Sequence, residues 1–289
     1  MQDLIAKAGV LLEALPYLQR FRGAIFAIKY GGSFMDSPDP AVRAGVARDV
    51  VLLAGVGIKP VLIHGGGKAI TAALAGAGAK FIQGMRVTDE ATVQVVERVL
   101  SREINPEIVT TINKLGGKAR GFSGADIFTC RKLWLAGPGA EKIDLGFVGE
   151  VVHVNTEPLQ QCLRDGFTPV ISPTARDRDG HIYNCNADAA AAAVAMALQA
   201  HRLVFLSDVP GLLRDPRDPN SLIPVLPSVE AEALKKSGVI DRGMIPKVDS
   251  AVAALRAGVA KVSFVDGRVP HAALLEMFTN QPVGTEIVL

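Results

Sequence analysis

The chain has 289 residues, about twice the ~150 residues of an average domain, so two domains sharing a cleft are the expectation. Hydrophobic residues at 49% and charged residues at 21% are ordinary globular usage, which excludes a collagenous or disordered chain. With 31 Lys+Arg against 29 Asp+Glu the net charge is +2, which advertises neither a nucleic-acid footprint nor a polybasic membrane anchor.

The first segment repeats Leu4, Ala8, Leu11, Leu15 and Leu18 at helical spacing, one apolar stripe of an amphipathic helix. Pro16 lies inside it; proline removes a hydrogen bond and crowds the preceding turn, which predicts a kink near Leu12 to Pro16. The opening residues lack the basic lead of a secretory signal. Unbroken apolar runs follow, each ending in glycines: Ile25-Phe26-Ala27-Ile28 before Gly31-Gly32, and Pro60-Val61-Leu62-Ile63 before Gly65-Gly66-Gly67. Runs without alternation predict strands buried on both faces of a parallel sheet. Further strands are expected at Pro169-Val170-Ile171, 203–206 and 262–265, with helices between them, which gives an α/β fold with helices on both sheet faces. Asp179-Gly180 between two extended stretches predicts a hairpin. Residues 189–200 are Ala-rich and helical, a fresh strand opens at Leu203, and the expected domains are 1–20 (helix), 21–198 and 199–289. The Pro-rich stretch 215–227 reads as a surface loop. The longest apolar run, 189–198, holds ten residues, whereas a bilayer span takes roughly 20. Cys130, Cys162 and Cys185 are an odd set with no close pair, which suits a reducing compartment and a cytoplasmic protein.

Lys29-Tyr30-Gly31-Gly32 follows a buried strand, so its glycines let the main chain approach a ligand, its amides can cradle anionic oxygens and its lysine fixes a positive charge. His64-Gly65-Gly66-Gly67 repeats the design, with a helix from about Lys68 whose N-terminal amides point back toward the strand end. Neither loop fits a P-loop or the dinucleotide pattern, because no Ser or Thr follows Lys68 and position 70 is Ile. Two glycine loops on neighbouring strands suggest two ligands meeting at the carboxyl ends of a sheet. Arg86-Val87-Thr88-Asp89 offers a fork-shaped cation suited to a carboxylate, followed by a capped helix. In Asn184-Cys185-Asn186-Ala187-Asp188, Asp188 lies near a helix start, where a cap and a functional role are equally open. Asn184 and Asn186 share a direction if the stretch is extended and could offer paired amides to a carboxylate. Ser207-Asp208-Val209-Pro210-Gly211 is a binding loop or a plain turn, and Gly243-Met244-Ile245-Pro246-Lys247 brings a second lysine on a stiffened approach. The five histidines have no metal-ligand spacing and no nucleophile motif occurs. Lys114, Lys118 and Arg120 read as a solvated face.

Taken in order, these six motifs resemble the amino acid kinase family over nearly the whole chain, from about residue 11 to 287. The resemblance implies a three-layer αβα sandwich on a mainly parallel sheet, with 21–198 binding acetylglutamate and 199–289 binding ATP. It implies that ATP, with Mg2+, phosphorylates the side-chain carboxylate of N-acetyl-L-glutamate, the second step of arginine biosynthesis. By the same resemblance Lys29 and Lys247 would flank the transferred group and Asp188 would orient both. Gly66, Gly67, Arg86 and Asn184 would hold acetylglutamate, Gly31 and Gly32 would meet phosphate oxygens, and Asp208, Gly211 and Gly243 would border the nucleotide. The chemistry agrees: a carboxylate is already nucleophilic, so cations and amides that stabilise charge matter more than a general base. Lys68, Phe34 and Arg242 depart from the usual pattern without replacing a catalytic side chain.

The N-terminal extension is similar to that of arginine-inhibited members, where kinked helices interlace three dimers. The resemblance implies a homohexamer and an arginine site made by Tyr17, His271, Glu276 and Gly284, with Glu276 facing the cationic ligand. Two alternatives stay open, a sister kinase of the same family and a non-catalytic amino-acid sensor; retention of both lysines and Asp188 argues against the sensor. Neither nucleic acid nor a membrane is expected as a partner.

Overall fold

The computed structural model describes residues 1–31, 35, 39–74, 80–137, 139, 141–240, 243–279 and 282–289, with backbone alone at 3, 4, 6, 7, 40 and 41. Gly32, Phe34 and Arg242, singled out above, lie outside the described residues.

An eight-stranded sheet runs Val225–Pro227, Thr285–Val288, Lys261–Asp266, Arg202–Ser207, Ile25–Tyr30, Lys59–His64, Thr168–Ile171, Ala119–Phe122. All neighbours pair in parallel except Lys261–Asp266 with Thr285–Val288. Covered faces explain the unalternating apolar runs: Arg202–Ser207 is buried throughout, and Ile25–Tyr30 and Lys59–His64 are buried at every position but the first. Alternate side chains enter different cores. Ala27, Val61, Leu203 and Phe205 pack with the helices Ala187–Ala197 and Ile245–Arg256, whereas Phe26, Ile28, Leu62 and Val204 pack with Pro40–Gly55 and Ala272–Phe278. Lys29 therefore emerges on the Ala27 face, toward the helix that begins near Asp188.

The division at 198/199 falls in the turn between the Ala187–Ala197 helix and the Arg202–Ser207 strand, and one sheet continues across it, since Ile25–Tyr30 pairs with Lys59–His64 on one side and Arg202–Ser207 on the other. The Asp179-Gly180 turn joins Thr174–Arg176 and Ile182–Cys185 as an antiparallel hairpin, with Gly180 at φ +94°. That hairpin closes a small barrel with Phe128–Ala136 and Lys142–Val154. The 215–227 stretch is not all loop: Val225–Pro227 adds an edge strand beside Thr285–Val288.

Gln2–Phe21 is one helix that continues through Pro16. Its body-facing side shares Leu18 with the stripe read from the sequence. Ala14, Tyr17 and Leu18 are half-buried and Phe21 is buried, while Leu11 and Leu15 are exposed together with Ile5, Val10 and Leu12. Among the described residues no helix is long and apolar enough to cross a membrane.

Candidate active site

The carboxyl edge of the sheet gathers the chemistry. Asn186 caps the Ala187–Ala197 helix, its Oδ1 accepting from the amides of Asp188 at 2.8 Å and Ala189 at 3.0 Å. With the cap supplied by its neighbour, Asp188 turns its carboxylate to two lysines. Lys29 Nζ lies 3.1 Å from Asp188 Oδ1, and Lys247 Nζ donates to Oδ2. Lys247 is held in the first turn of Ile245–Arg256, where Pro246 occupies a position that needs no amide donor. Burial alone would raise the Asp188 carboxyl, but the two ammonium groups hold it below its ordinary value. One buried carboxylate shared by two cations leaves a net positive site, suited to an anion arriving from the cleft.

Glycine at position 31 follows from the same crowding: a Cβ there would stand 2.7 Å from Lys29 Nζ. A Cβ on Gly31 would lie 3.7 Å from Gly65 Cα, and one on Gly65 3.6 Å from Gly31 Cα, so the two glycine loops run side by side. Beside them is a cavity of about 280 Å³ lined by Lys29, Gly66, Gly67, Arg86, Asn184 and Asp188, among others. Arg86 is buried and stacks at 4.7 Å over the Phe81 ring. Its Nη2 donates to Gly67 O at 3.1 Å and to Thr71 Oγ1 at 2.6 Å, while Nη1 meets no acceptor among the described residues. A buried guanidinium nitrogen without a partner calls for one, and a carboxylate is the group whose geometry matches it. Burial lowers the Arg86 pKa from its ordinary value. Asn184 donates to Thr88 Oγ1 at 3.4 Å. Asn184 and Asn186 both line the cavity, and the side-chain oxygen of Asn186 serves as the helix cap. Asp89 caps the next helix, accepting from Thr92 N at 2.7 Å, as its spacing suggested.

Sequence reading missed three contributors. Thr71 holds Arg86 and donates to Gly67 O at 2.9 Å; its signal was the position one helical turn after Gly67. A π-helical stretch, Arg98–Ile104, puts Leu100 and Ile104 against Gly66, where a Cβ would come within 2.6 Å of both. Asn105 lies against His64, behind the second glycine loop, and carried no local signal.

Asp208, Gly211 and Gly243 do not line this cavity. Asp208 follows the Arg202–Ser207 strand and so emerges at the same sheet edge. Gly211 is buried at φ +143°, and a Cβ there would stand 2.5 Å from Thr285 Oγ1. Gly243 is exposed ahead of the Lys247 helix. Each of the four residues of the expected arginine site has its own neighbours in the chain. Tyr17 meets Phe278 edge-on at 6.4 Å, His271 Nδ1 is 2.7 Å from Asp49 Oδ1, and Gly284 is pressed against Phe264 O. Glu276 is 1% exposed, accepts from Ser263 Oγ at 2.6 Å and Val283 N at 3.2 Å, and pairs with Lys261 at 3.2 Å. An isolated buried carboxylate is costly, so the fold has paired it.

The donor set of the cavity does not fit an ion held by protein. Asp188 is the one carboxylate among its lining residues, and lysines cover both of its oxygens. The one metal-like cluster among the described residues, Asp177, Asp179 and His181, sits in the hairpin turn, where Asp177 Oδ1 accepts from the amides of Asp179 and His181.

Comparison with known proteins supports the same reading. The model of the amino acid kinase family matches residues 24–266. An acetylglutamate kinase of Aquifex aeolicus is 48% identical over 100% of both chains, and one of Akkermansia muciniphila is 46% identical over 99% of this chain and 96% of its own. Among solved structures, an N-acetylglutamate synthase of Neisseria gonorrhoeae, complexed with coenzyme A and N-acetyl-glutamate, superposes with a TM-score of 0.83 at 27% identity; the match covers 98% of this chain but 63% of the synthase chain. A carbamate kinase of Giardia lamblia shares the fold, with a TM-score of 0.63 at 17% identity over 92% of this chain and 98% of its own. With seven of the eight sheet strands, both glycine loops and the Asp188 helix inside the matched span, the chain belongs to the amino acid kinase family and is a kinase.

Proposed function

We propose that this kinase transfers the γ-phosphoryl group of ATP to the side-chain carboxylate of N-acetyl-L-glutamate, giving N-acetyl-L-glutamyl 5-phosphate and ADP, the second step of arginine biosynthesis. The observation that carries the reading is the convergence of Lys29 and Lys247 on Asp188 at the edge of a cavity that Arg86 also lines, its buried Nη1 without a partner among the described residues. Relatives called acetylglutamate kinases, 44–48% identical to this chain, support it.

In this reading Arg86 takes one carboxylate of acetylglutamate in a bidentate contact, Asn184 and the amides of Gly66 and Gly67 hold the rest, and the reacting carboxylate points to Lys29. That carboxylate attacks the γ-phosphorus directly; the bond to the bridging oxygen breaks and ADP leaves with its electron pair. Two ammonium groups aimed at the in-flight phosphoryl offset the repulsion between the anions, and Asp188 keeps both in place. Gly31 and Gly32 meet phosphate oxygens, and Asp208, Gly211 and Gly243 border the nucleotide. Mg2+ is expected to arrive on the ATP phosphates rather than on a protein carboxylate.

The regulatory half of the proposal is a homohexamer inhibited by arginine. The exposed Ile5, Val10, Leu11, Leu12 and Leu15 of the N-terminal helix favour assembly through it. Arginine would lodge among Tyr17, His271, Glu276 and Gly284, exchanging with Lys261 for the Glu276 carboxylate. The free, buried cysteines fit a cytoplasmic enzyme. Coupled ADP release with N-acetyl-L-glutamate tests the activity; absence of turnover with it, alongside turnover of another carboxylate or carbamate acceptor, favours a sister kinase instead.

A further inference from the structure

His64 ends the Lys59–His64 strand, is wholly buried, and stands directly before the Gly65-Gly66-Gly67 loop. Its Nδ1 lies 2.8 Å from Gly65 O and its Nε2 lies 3.3 Å from Asn105 Nδ2. Asn105, 3% exposed, also donates from Nδ2 to Val170 O at 2.9 Å. An amide nitrogen only donates, so Nε2 must accept from it, and the ring proton must sit on Nδ1, where it donates to Gly65 O. In a trans peptide the C=O and the following N–H point in opposite directions. Holding Gly65 O against the ring therefore turns the Gly66 N–H away from His64, toward the cavity that Gly65, Gly66 and Gly67 line. Among the described residues that amide donates to no backbone carbonyl. Asn105 is itself delivered by the π-helical stretch Arg98–Ile104, which also sets Leu100 and Ile104 against Gly66.

We propose that His64 and Asn105 are positioning residues: Asn105 fixes the His64 tautomer, and His64 fixes the Gly65–Gly66 peptide so that the Gly66 amide is aimed at the acetylglutamate carboxylate. The inference rests on the substrate reading above. Burial drives the His64 pKa down to about 4, so the ring is neutral and the tautomer persists across working pH.

The test separates the two ring nitrogens. An Asn side chain can place its N–H near where Nδ1 stands, and Gln can place a polar group near Nε2. His64→Asn keeps the donor to Gly65 O, and His64→Gln keeps the partner of Asn105 while losing that donor. The expected result is that His64→Gln raises KM for acetylglutamate roughly tenfold, with KM for ATP within about twofold of wild type, while His64→Asn restores most of the lost affinity. A purely structural histidine predicts no such split; equal effects of the two variants, or an unchanged acetylglutamate KM in folded His64→Gln, would overturn the proposal. Nitrogen-15 spectra of the histidines in the wild-type enzyme give a second reading: a buried ring protonated at Nδ1 supports it, and one protonated at Nε2 contradicts it even if neither variant folds. Lack of wild-type turnover with acetylglutamate would count against the substrate reading instead, and the ring tautomer would then decide this device alone.

Discussion

Thr71 takes a 2.6 Å hydrogen bond from Arg86 Nη2, while the other terminal nitrogen of the guanidinium, Nη1, is buried without a partner among the described residues. A lysine cannot hold Thr71 and a ligand carboxylate at once with the same planar fork. Arg86→Lys is therefore expected to raise KM for acetylglutamate roughly tenfold with little change for ATP, and Thr71→Val to do the same more weakly. Steady-state kinetics in both substrates checks this, and an effect confined to ATP moves Arg86 out of the acetylglutamate pocket.

The lysines are expected to act on turnover more than on binding. Lys29→Ala and Lys247→Ala should each lower kcat by about 10²-fold or more, because a cation aimed at transition-state charge contributes on that scale. Asp188→Asn should also lower kcat, since it removes the charge that holds both ammonium groups. Single-turnover measurements at saturating substrates test this; near-wild-type chemistry in either lysine variant contradicts its role.

Stability should depend on pH through His64. Its folded pKa of about 4 lies below the ordinary 6.5, so between those values the unfolded chain binds a proton that the folded chain refuses. Stability contributed by the neutral ring is thus complete above pH 6.5 and is lost as pH falls toward 4, by up to roughly 3 kcal/mol. Denaturation midpoints of wild type and His64→Gln across this window should converge as pH falls; parallel curves would show that this ring does not titrate as described.

Legibility divided along physical lines. The buried strands were readable because a covered parallel sheet leaves no polar alternation, and the Asp179-Gly180 hairpin because its glycine carries the positive φ the turn needs. The Lys29, Arg86 and Asp188 positions were legible through local glycines, proline and helix starts. What escaped depends on contacts distant in sequence. Nothing near Asn105 announces that it meets His64, 41 residues away, and no periodicity marks the π-helical turn before it. Which side of the first helix meets the body was not legible: it rests on Tyr17, Leu18 and Phe21, while Leu11 and Leu15 of the apolar stripe are exposed. The partners of Glu276 were not legible either, because Lys261 and Ser263 come from the strand ahead of the helix that carries it.

Deleting residues 1–20 should convert a hexamer into an active dimer that no longer responds to arginine, since the exposed apolar side chains of the helix go with it. Light scattering and arginine titration of both forms check this. A dimeric full-length protein, or inhibition that survives the deletion, contradicts it.

The central claim is the acceptor, and one assay compares acceptors directly: coupled ADP release by the full-length enzyme with N-acetyl-L-glutamate and with glutamate, each over a range of concentrations. A free ammonium in place of the acetyl amide would sit in a site that already holds Lys29, Lys247 and Arg86, so like charges and a lost amide contact both oppose it. The account predicts that kcat/KM for N-acetyl-L-glutamate exceeds that for glutamate by about 10²-fold or more. Equal or greater turnover of glutamate would contradict it.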